Sequence, residues 1–148
     1  MASTIEQRLV LSSRLEELHR AAESLLKAIN GFGYDETERF AIHLALEEAV
    51  TNAIKHGNHN DPTKQITIEY CVGADQVQIK VCDEGPGFNL QAVPDPTLDE
   101  NLEKPNGRGI MLMRAYMNEV TYPGKGNCVL MVRRRDPDAA AGSGQVPS

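Results

Sequence analysis

Glu48 and Asn52 stand four residues apart in a segment whose apolar spacing predicts a helix, so both project from one side of it. A carboxylate can act as a general base, and an amide oxygen is the kind of hard ligand that Mg²⁺ accepts. Alone, the pair is better explained as a solvated helix face with an i, i+4 contact. Two glycine-rich segments further along the chain favour a ligand site instead.

The first of these segments, Asp83-Glu84-Gly85-Pro86-Gly87, follows a strand-like run. A carboxylate at the end of a strand can accept a hydrogen bond from the exocyclic amine of adenine. Gly85 and Gly87 would let the backbone pass close to the flat base, where a Cβ would clash. In isolation the segment is better explained as a turn that an aspartate initiates as the chain leaves a strand.

The second segment, Gly107-Arg108-Gly109, precedes a short helix that begins near Ile110. Free amides at a helix start favour phosphate, although Gly-x-Gly alone could be a hinge. The segment follows Asn89 to Asn106, eighteen residues with three prolines and no periodicity, which we interpret as a lid. Arg108 either contacts a phosphate or faces solvent, and the same alternatives hold for Lys55 on the earlier helix.

In this order the segments resemble the three nucleotide-binding boxes of the GHKL (Bergerat-fold) ATPases. Glu47 to Asn58 resembles the N box, Asp83 to Phe88 the G1 box and Asn106 to Met111 the G2 box. The Glu-Ala-Val-Thr-Asn-Ala form and the length are similar to one branch, the bacterial anti-sigma-factor serine/threonine kinases, which phosphorylate STAS-domain antagonist proteins. The resemblance spans roughly Thr4 to Arg135. The chain departs from its relatives in the arginine between the G2 glycines and in the preceding Pro105-Asn106.

The resemblance implies ATP and Mg²⁺ as cofactors, Glu48 as general base and Asn52 as the magnesium ligand. It also implies nucleotide contacts from a larger set of residues: Asn52, Lys55, Asp83, Gly85, Gly87, Gly107, Arg108, Gly109 and Ile110. A sigma factor and a second copy of the chain are further partners that the family implies.

Two rival functions stay open at this point. One is a nucleotide-gated module that sequesters a regulator without phosphorylating it. The other is the detached ATP-binding half of a histidine kinase, acting on a phosphoacceptor supplied in trans. Glu48 does not separate these functions from the serine kinase, because histidine kinases carry a similarly placed glutamate.

Composition narrows the setting. The 148 residues carry a net charge of −6, which argues against a protein that reads a nucleic-acid backbone. Apolar runs are broken by charges and the N-terminus lacks the pattern of a signal peptide, so we predict a cytoplasmic protein without a membrane span. Cys71, Cys82 and Cys128 are an odd number without close spacing. They suggest neither a disulfide framework nor a zinc site, and Cys71 and Cys82, which lie in strand-like runs, are interpreted as buried small hydrophobes in a reducing compartment.

The periodicities predict an α+β two-layer sandwich, with an antiparallel or mixed sheet and helices on one face, as in the Bergerat fold. We expect one kinase domain over 1–135 and a disordered tail over 136–148. The predicted elements are an edge strand from Ile5 to Leu11, helices at about Ser13–Asn30 and Asp35–His56, a hairpin around Ile66–Val81, and a closing hairpin from Glu119 to Val132.

Local signals refine the two helices. We expect Ser12 or Ser13 to cap the first helix and Asp35 the second. On the second helix, Ala41 and Ala45 share the side of Glu48 and would form a floor of small residues for a ligand. Glu47 projects about 100° away from Glu48, so the adjacent acids are not interchangeable.

Overall fold

The computed structural model describes residues 4–85, 112–124 and 126–135. The helical elements are α1 (Glu16–Gly31), α2 (Glu36–Asn52), a π-helical turn (Ala53–Gly57) and a short α3 (residues 112–116). The strands are β1 (Ile5–Ser12), β2 (Gln65–Val72), β3 (Gln76–Cys82), β4 (Glu119–Thr121) and β5 (Cys128–Arg134). No helix of the described part is long and apolar enough to cross a membrane.

The five strands form an antiparallel sheet in the order β1-β2-β3-β5-β4. Along β2 and β3, buried residues alternate with more exposed ones, so the described helices cover one face of the sheet and leave the other more exposed. α1 packs on β1 and β2, and α2 packs on β3. The predicted α+β sandwich with helices on one face is confirmed, and each pair of neighbouring strands in the described part of the chain is antiparallel.

Helix starts show where local signals suffice. Asp35 caps α2 as predicted, in a capping box with Glu38: its carboxylate accepts from the Glu38 amide at 2.7 Å. The prediction of a serine cap for α1 is wrong, since Leu15 occupies that position without a side-chain bond. Ser13 is buried at 3% exposure, and its hydroxyl accepts from Asn58 instead. Its oxygen is therefore engaged with another part of the chain.

Both hairpins are confirmed. β2 and β3 are joined through Gly73–Asp75, and β4 pairs with β5. β1 is an edge strand, paired with β2 alone among the described strands. Three predicted features lie outside the described residues: the lid over 89–106, the segment Gly107-Arg108-Gly109 and the tail over 136–148.

The cysteines contradict the expectation for two of the three. Cys82 and Cys128 are joined by a disulfide, and each is half-buried on the helix-free face; Cys71 has a free thiol. The two bonded residues are 46 positions apart in sequence. Only the pairing of β3 with β5 places them opposite each other, and spacing along the chain does not reveal that register.

Candidate functional site

The end of α2 departs from the predicted α-helix. α2 ends at Asn52, and the Asn58 amide then donates to the Ala53 carbonyl at 2.8 Å, five residues back. A π-turn of this kind is rare and is frequently found at functional sites. Lys55 lies within this π-turn, so it does not follow Asn52 by one regular α-helical turn. Its side chain is exposed, and a role in binding phosphate stays a prediction.

Glu48 and Asn52 are both half-buried, whereas Glu47 is exposed and pairs with His43 at 3.8 Å. The predicted difference between the two adjacent glutamates is therefore confirmed. The predicted floor of small residues is wrong, because Ala41 and Ala45 are 3% and 0% exposed. Ala45 belongs to the hydrophobic core, which extends around α2 further than the apolar spacing indicated.

The surroundings of Glu48 raise the pKa of its carboxyl above the usual value. Burial is the largest cause, the neighbouring Glu47 charge adds to it, and Lys55 opposes it. A carboxylate with a raised pKa is a stronger base, and it titrates closer to neutral pH. Burial, Lys55 and His59 lower the pKa of His56, so its imidazole is neutral near pH 7.

The end of α2 meets the turn that follows β3 through two glycines. A Cβ on Gly57 would lie closer than 3.0 Å to the carboxylate of Asp83, and a Cβ on Gly85 would lie closer than 3.0 Å to the carbonyl of Gly57. The Asp83 carboxylate also accepts from the Gly85 amide at 2.7 Å. Glycine at both positions permits this close approach of the end of the π-turn to the turn after β3, whereas the sequence suggested only that Gly85 makes room for a ligand.

Asn58 is a residue that the sequence interpretation missed. It is fully buried, and its amide nitrogen donates to the Gln65 carbonyl at 3.1 Å and to Ser13 at 3.3 Å. Its side-chain oxygen accepts from the Glu84 amide at 2.8 Å. One side chain, directly after the π-turn, thus contacts the residue that follows β1, the start of β2 and the turn after β3. A polar residue directly after Gly57 was the signal, although by itself it indicated only a helix end.

Asn127 is a second residue that was missed. Its carbonyl accepts from the Asp83 amide at 2.9 Å, and its side-chain amide donates to the Asp83 carbonyl at 2.8 Å. The backbone of Asp83 is therefore held on both sides by the turn that leads into β5. In the sequence, Asn127 is simply one of several turn residues of the closing hairpin.

The described residues fit a nucleotide that brings its own magnesium. Asn52, a half-buried residue, offers an amide oxygen, and Asp83 offers a carboxylate directly after β3. No group of three acidic, histidine or cysteine side chains within the described part could hold a metal. Mg²⁺ commonly takes one or two ligands from protein and the rest from phosphate and water, so this supply is sufficient. Gly87, Gly107, Arg108, Gly109 and Ile110 lie outside the described residues, and their roles stay predictions.

Comparison with known proteins agrees with this geometry. The model of the histidine kinase-like ATPase domain matches residues 11–133. The chain is 29% identical over 123 residues to the serine-protein kinase RsbW of Listeria monocytogenes, covering 78% of this chain and 77% of that protein. It is 30% identical over 123 residues to RsbW of another strain of that species, with the same coverage. With RsbW of Bacillus subtilis it shares 34% identity over 98 residues, covering 61% and 59%.

The fold is also similar to a solved structure of the RsbU and RsbW domains of Rv1364c from Mycobacterium tuberculosis. The TM-score is 0.61 and the identity 17%, over 88% of this chain and 31% of that longer one. The chain therefore belongs to the histidine kinase-like (GHKL) ATPase family, in the branch of the anti-sigma-factor serine kinases.

Proposed function

We propose that this member of the histidine kinase-like ATPase family is a cytoplasmic ATP- and Mg²⁺-dependent protein serine/threonine kinase. Its substrate would be a serine or threonine of a STAS-domain antagonist protein. The observation that carries the proposal is the half-buried Glu48, with its raised pKa, on the helix whose end meets the Asp83 turn. A base and a nucleotide-recognition turn lie on adjoining elements.

Recognition of the adenine ring is assigned to Asp83. Its carboxylate would accept from the exocyclic amine of adenine, and its backbone is already fixed by Asn127. Gly57 and Gly85 leave no Cβ around this carboxylate, and Asn58 holds the following Glu84 amide. The turn is therefore preorganised for the ligand. Preorganisation lowers the loss of conformational entropy that binding has to offset.

Asn52 would hold the magnesium through its side-chain oxygen. When bound, Mg-ATP supplies the phosphoryl group to be transferred and the charge neutralisation that this transfer requires. Glu48 Oε would accept the proton from the hydroxyl of the substrate serine as that oxygen attacks. Only the ionised carboxylate can do this, so activity should rise as the pH rises through the raised pKa of Glu48.

The relatives named serine-protein kinase support transfer to serine rather than to histidine. A sigma factor as a second partner and a homodimer are carried over from the family as parts of the same proposal. Release of the sigma factor would follow when the antagonist protein captures the kinase.

Transfer of radiolabel from ATP to a STAS-domain protein tests the proposal. The labelled product should withstand acid and be lost in base, as phosphoserine is. An acid-labile product would show the ATP-binding half of a histidine kinase. Binding of the partner in the presence of nucleotide, without any label transferred, would show a nucleotide-gated module instead.

A further inference from the structure

A pair of cysteines lies directly beside the candidate nucleotide site. Cys82 is the last residue of β3 and precedes Asp83, and Cys128 is the first residue of β5 and follows Asn127. The disulfide between them therefore joins the two segments that hold the backbone of Asp83. Nothing in the proposed kinase chemistry uses this bond.

The strand register alone brings these sulfurs together. Cys82 and Cys128 are directly opposite in the ladder, and the Asp83 amide donates to the Asn127 carbonyl just beyond them. This pattern makes the cysteines a non-hydrogen-bonded pair, the narrow kind in which opposing side chains are closest. Their Cα atoms are 4.0 Å apart. The strand register therefore places the two side chains directly opposite each other.

The pair is also accessible to small reagents. Both cysteines are half-buried on the face of the sheet that the helices do not cover. The pairing of β3 with β5 extends over seven positions, so the sheet does not depend on the disulfide. Disulfides in a reducing compartment are usually transient, and exposed ones are the more easily reduced.

We propose that Cys82 and Cys128 form a reversible thiol–disulfide exchange site that sets the affinity of the adjoining nucleotide site. The reagent class is a low-molecular-weight thiol and its disulfide. One cysteine thiolate attacks the reagent disulfide, forming a mixed disulfide and releasing one thiolate. The second cysteine thiolate then attacks the sulfur of the first, forming the Cys82–Cys128 bond and releasing the other. Two protein thiols are oxidised as one reagent disulfide is reduced to two thiols.

The coupling to nucleotide follows from Asp83. In the oxidised form the disulfide fixes the last rung of the β3–β5 ladder, and Asp83 and Asn127 are held next to it. After reduction, the Asp83 backbone keeps its two hydrogen bonds to Asn127, but the covalent link beside them is gone. The end of the strand then samples more conformations, and binding has to order it again. This inference rests on the proposed nucleotide site, because it is the affinity of that site that changes.

The experiment compares the protein equilibrated with oxidised and with reduced glutathione. Alkylation followed by mass measurement counts the thiols, and calorimetry with Mg-ADP measures affinity. The oxidised form should bind about 3- to 10-fold more tightly. This gain corresponds to less free energy than the entropic cost of fully ordering one backbone residue. Cys82→Ser and Cys128→Ser should bind with the weaker affinity under both conditions. Cys71→Ser is the matched control, a free cysteine on the same face, and it should keep the full response.

A second measurement does not need nucleotide. Amide exchange at Asp83 should be faster in the reduced protein and in Cys82→Ser than in the oxidised protein. Equal affinity and equal exchange in forms that differ by two thiols would overturn the inference, as would failure of any disulfide to form at excess oxidised glutathione. If neither form binds nucleotide, the proposed function fails, and the exchange rate of Asp83 alone decides whether the cysteine pair controls this turn.

Discussion

The two ends of the sheet differ in whether the polar side chains beside them have hydrogen-bond partners within the protein. At the end with the β2–β3 hairpin, Arg135 lies 3.9 Å over the ring of Tyr34 and 3.7 Å from Glu38. Its guanidinium also donates to the carbonyls of Phe32 and Ala74. At the other end, no hydrogen bond to the half-buried Glu48 or Asn52 is found within residues 4–85, 112–124 and 126–135.

The difference separates a structural cluster from a candidate site. Arg135 and Glu38 are 13% and 8% exposed and neutralise each other, so that cluster gains nothing from a ligand. Near Glu48, the polar groups that do have partners, those of Asn58 and Asn127, support the turn rather than the acid itself. A carboxyl group with a raised pKa beside such a prebuilt turn is the arrangement expected of a functional site.

The largest expected effect is on phosphoryl transfer in Glu48→Gln. The amide keeps the shape of the side chain but cannot accept the proton, so the rate should fall by about 10²–10⁴ while ATP affinity stays within a few fold. Transfer to the STAS-domain partner and calorimetry measure the two quantities. The acidic limb of the pH–rate profile should lie above the ordinary pKa of 4.5, and it should be lost in the variant.

Glu47→Gln is the control for this experiment, because Glu47 is exposed and pairs with His43. It should lose little activity. An inactive Glu47→Gln beside an active Glu48→Gln would reverse the catalytic assignment.

At the opposite end of the sheet, Arg135→Met should affect stability and leave binding alone. The change leaves Glu38 buried without its partner, which costs about 3–5 kcal/mol. Denaturant unfolding measures the loss, and the folded protein should bind Mg-ADP as wild type does. Arg134→Met is the neighbouring control, since Arg134 pairs with Glu119 at 53% and 45% exposure. It should cost less than about 1 kcal/mol. A large loss of nucleotide affinity in Arg135→Met would contradict the conclusion that this cluster is structural and separate from the nucleotide site.

Gly57→Ala tests whether the glycines bring the two boxes together. The added methyl would contact the Asp83 carboxylate, whose backbone cannot easily move because Asn127 holds it. We expect a loss of about 1–3 kcal/mol in stability, together with weaker nucleotide binding. Gly31→Ala is matched to it, because nothing lies within 4 Å of the position where its Cβ would be. Equal behaviour of the two variants in thermal unfolding and calorimetry would count against a close approach at Gly57.

Asp83→Asn should have the most confined effect. An amide can present a donor where the adenine amine needs an acceptor, and the mismatch costs about 1–3 kcal/mol, or roughly 5- to 150-fold in affinity. Titration with ADP and with an inosine nucleotide, which lacks the amine, distinguishes recognition from general damage. Affinity for ADP that is unchanged in the folded variant would remove Asp83 from the site.

Much of the fold and part of the site could be predicted from local patterns. The alternation in β2 and β3 and the capping residue Asp35 were sufficient, because each depends on neighbours in sequence. The floor predicted from Ala41 and Ala45 was wrong because periodicity gives the direction of a side chain and not what covers it. The serine cap of α1 failed for a similar reason, since Ser13 bonds to a residue 45 positions away.

The sequence by itself determined the family, the layered α+β architecture and the presence of Glu48, Asn52 and Asp83 in one order. These follow from residue types and short spacings, which the backbone's own periodicity converts into faces and turns. The tertiary structure alone decided the π-turn after Asn52, the contact of Gly57 with Asp83, the links through Asn58 and Asn127, and the pairing of Cys82 with Cys128. Each of these depends on which distant segments the packed core and the strand register place side by side, and no local pattern encodes that choice.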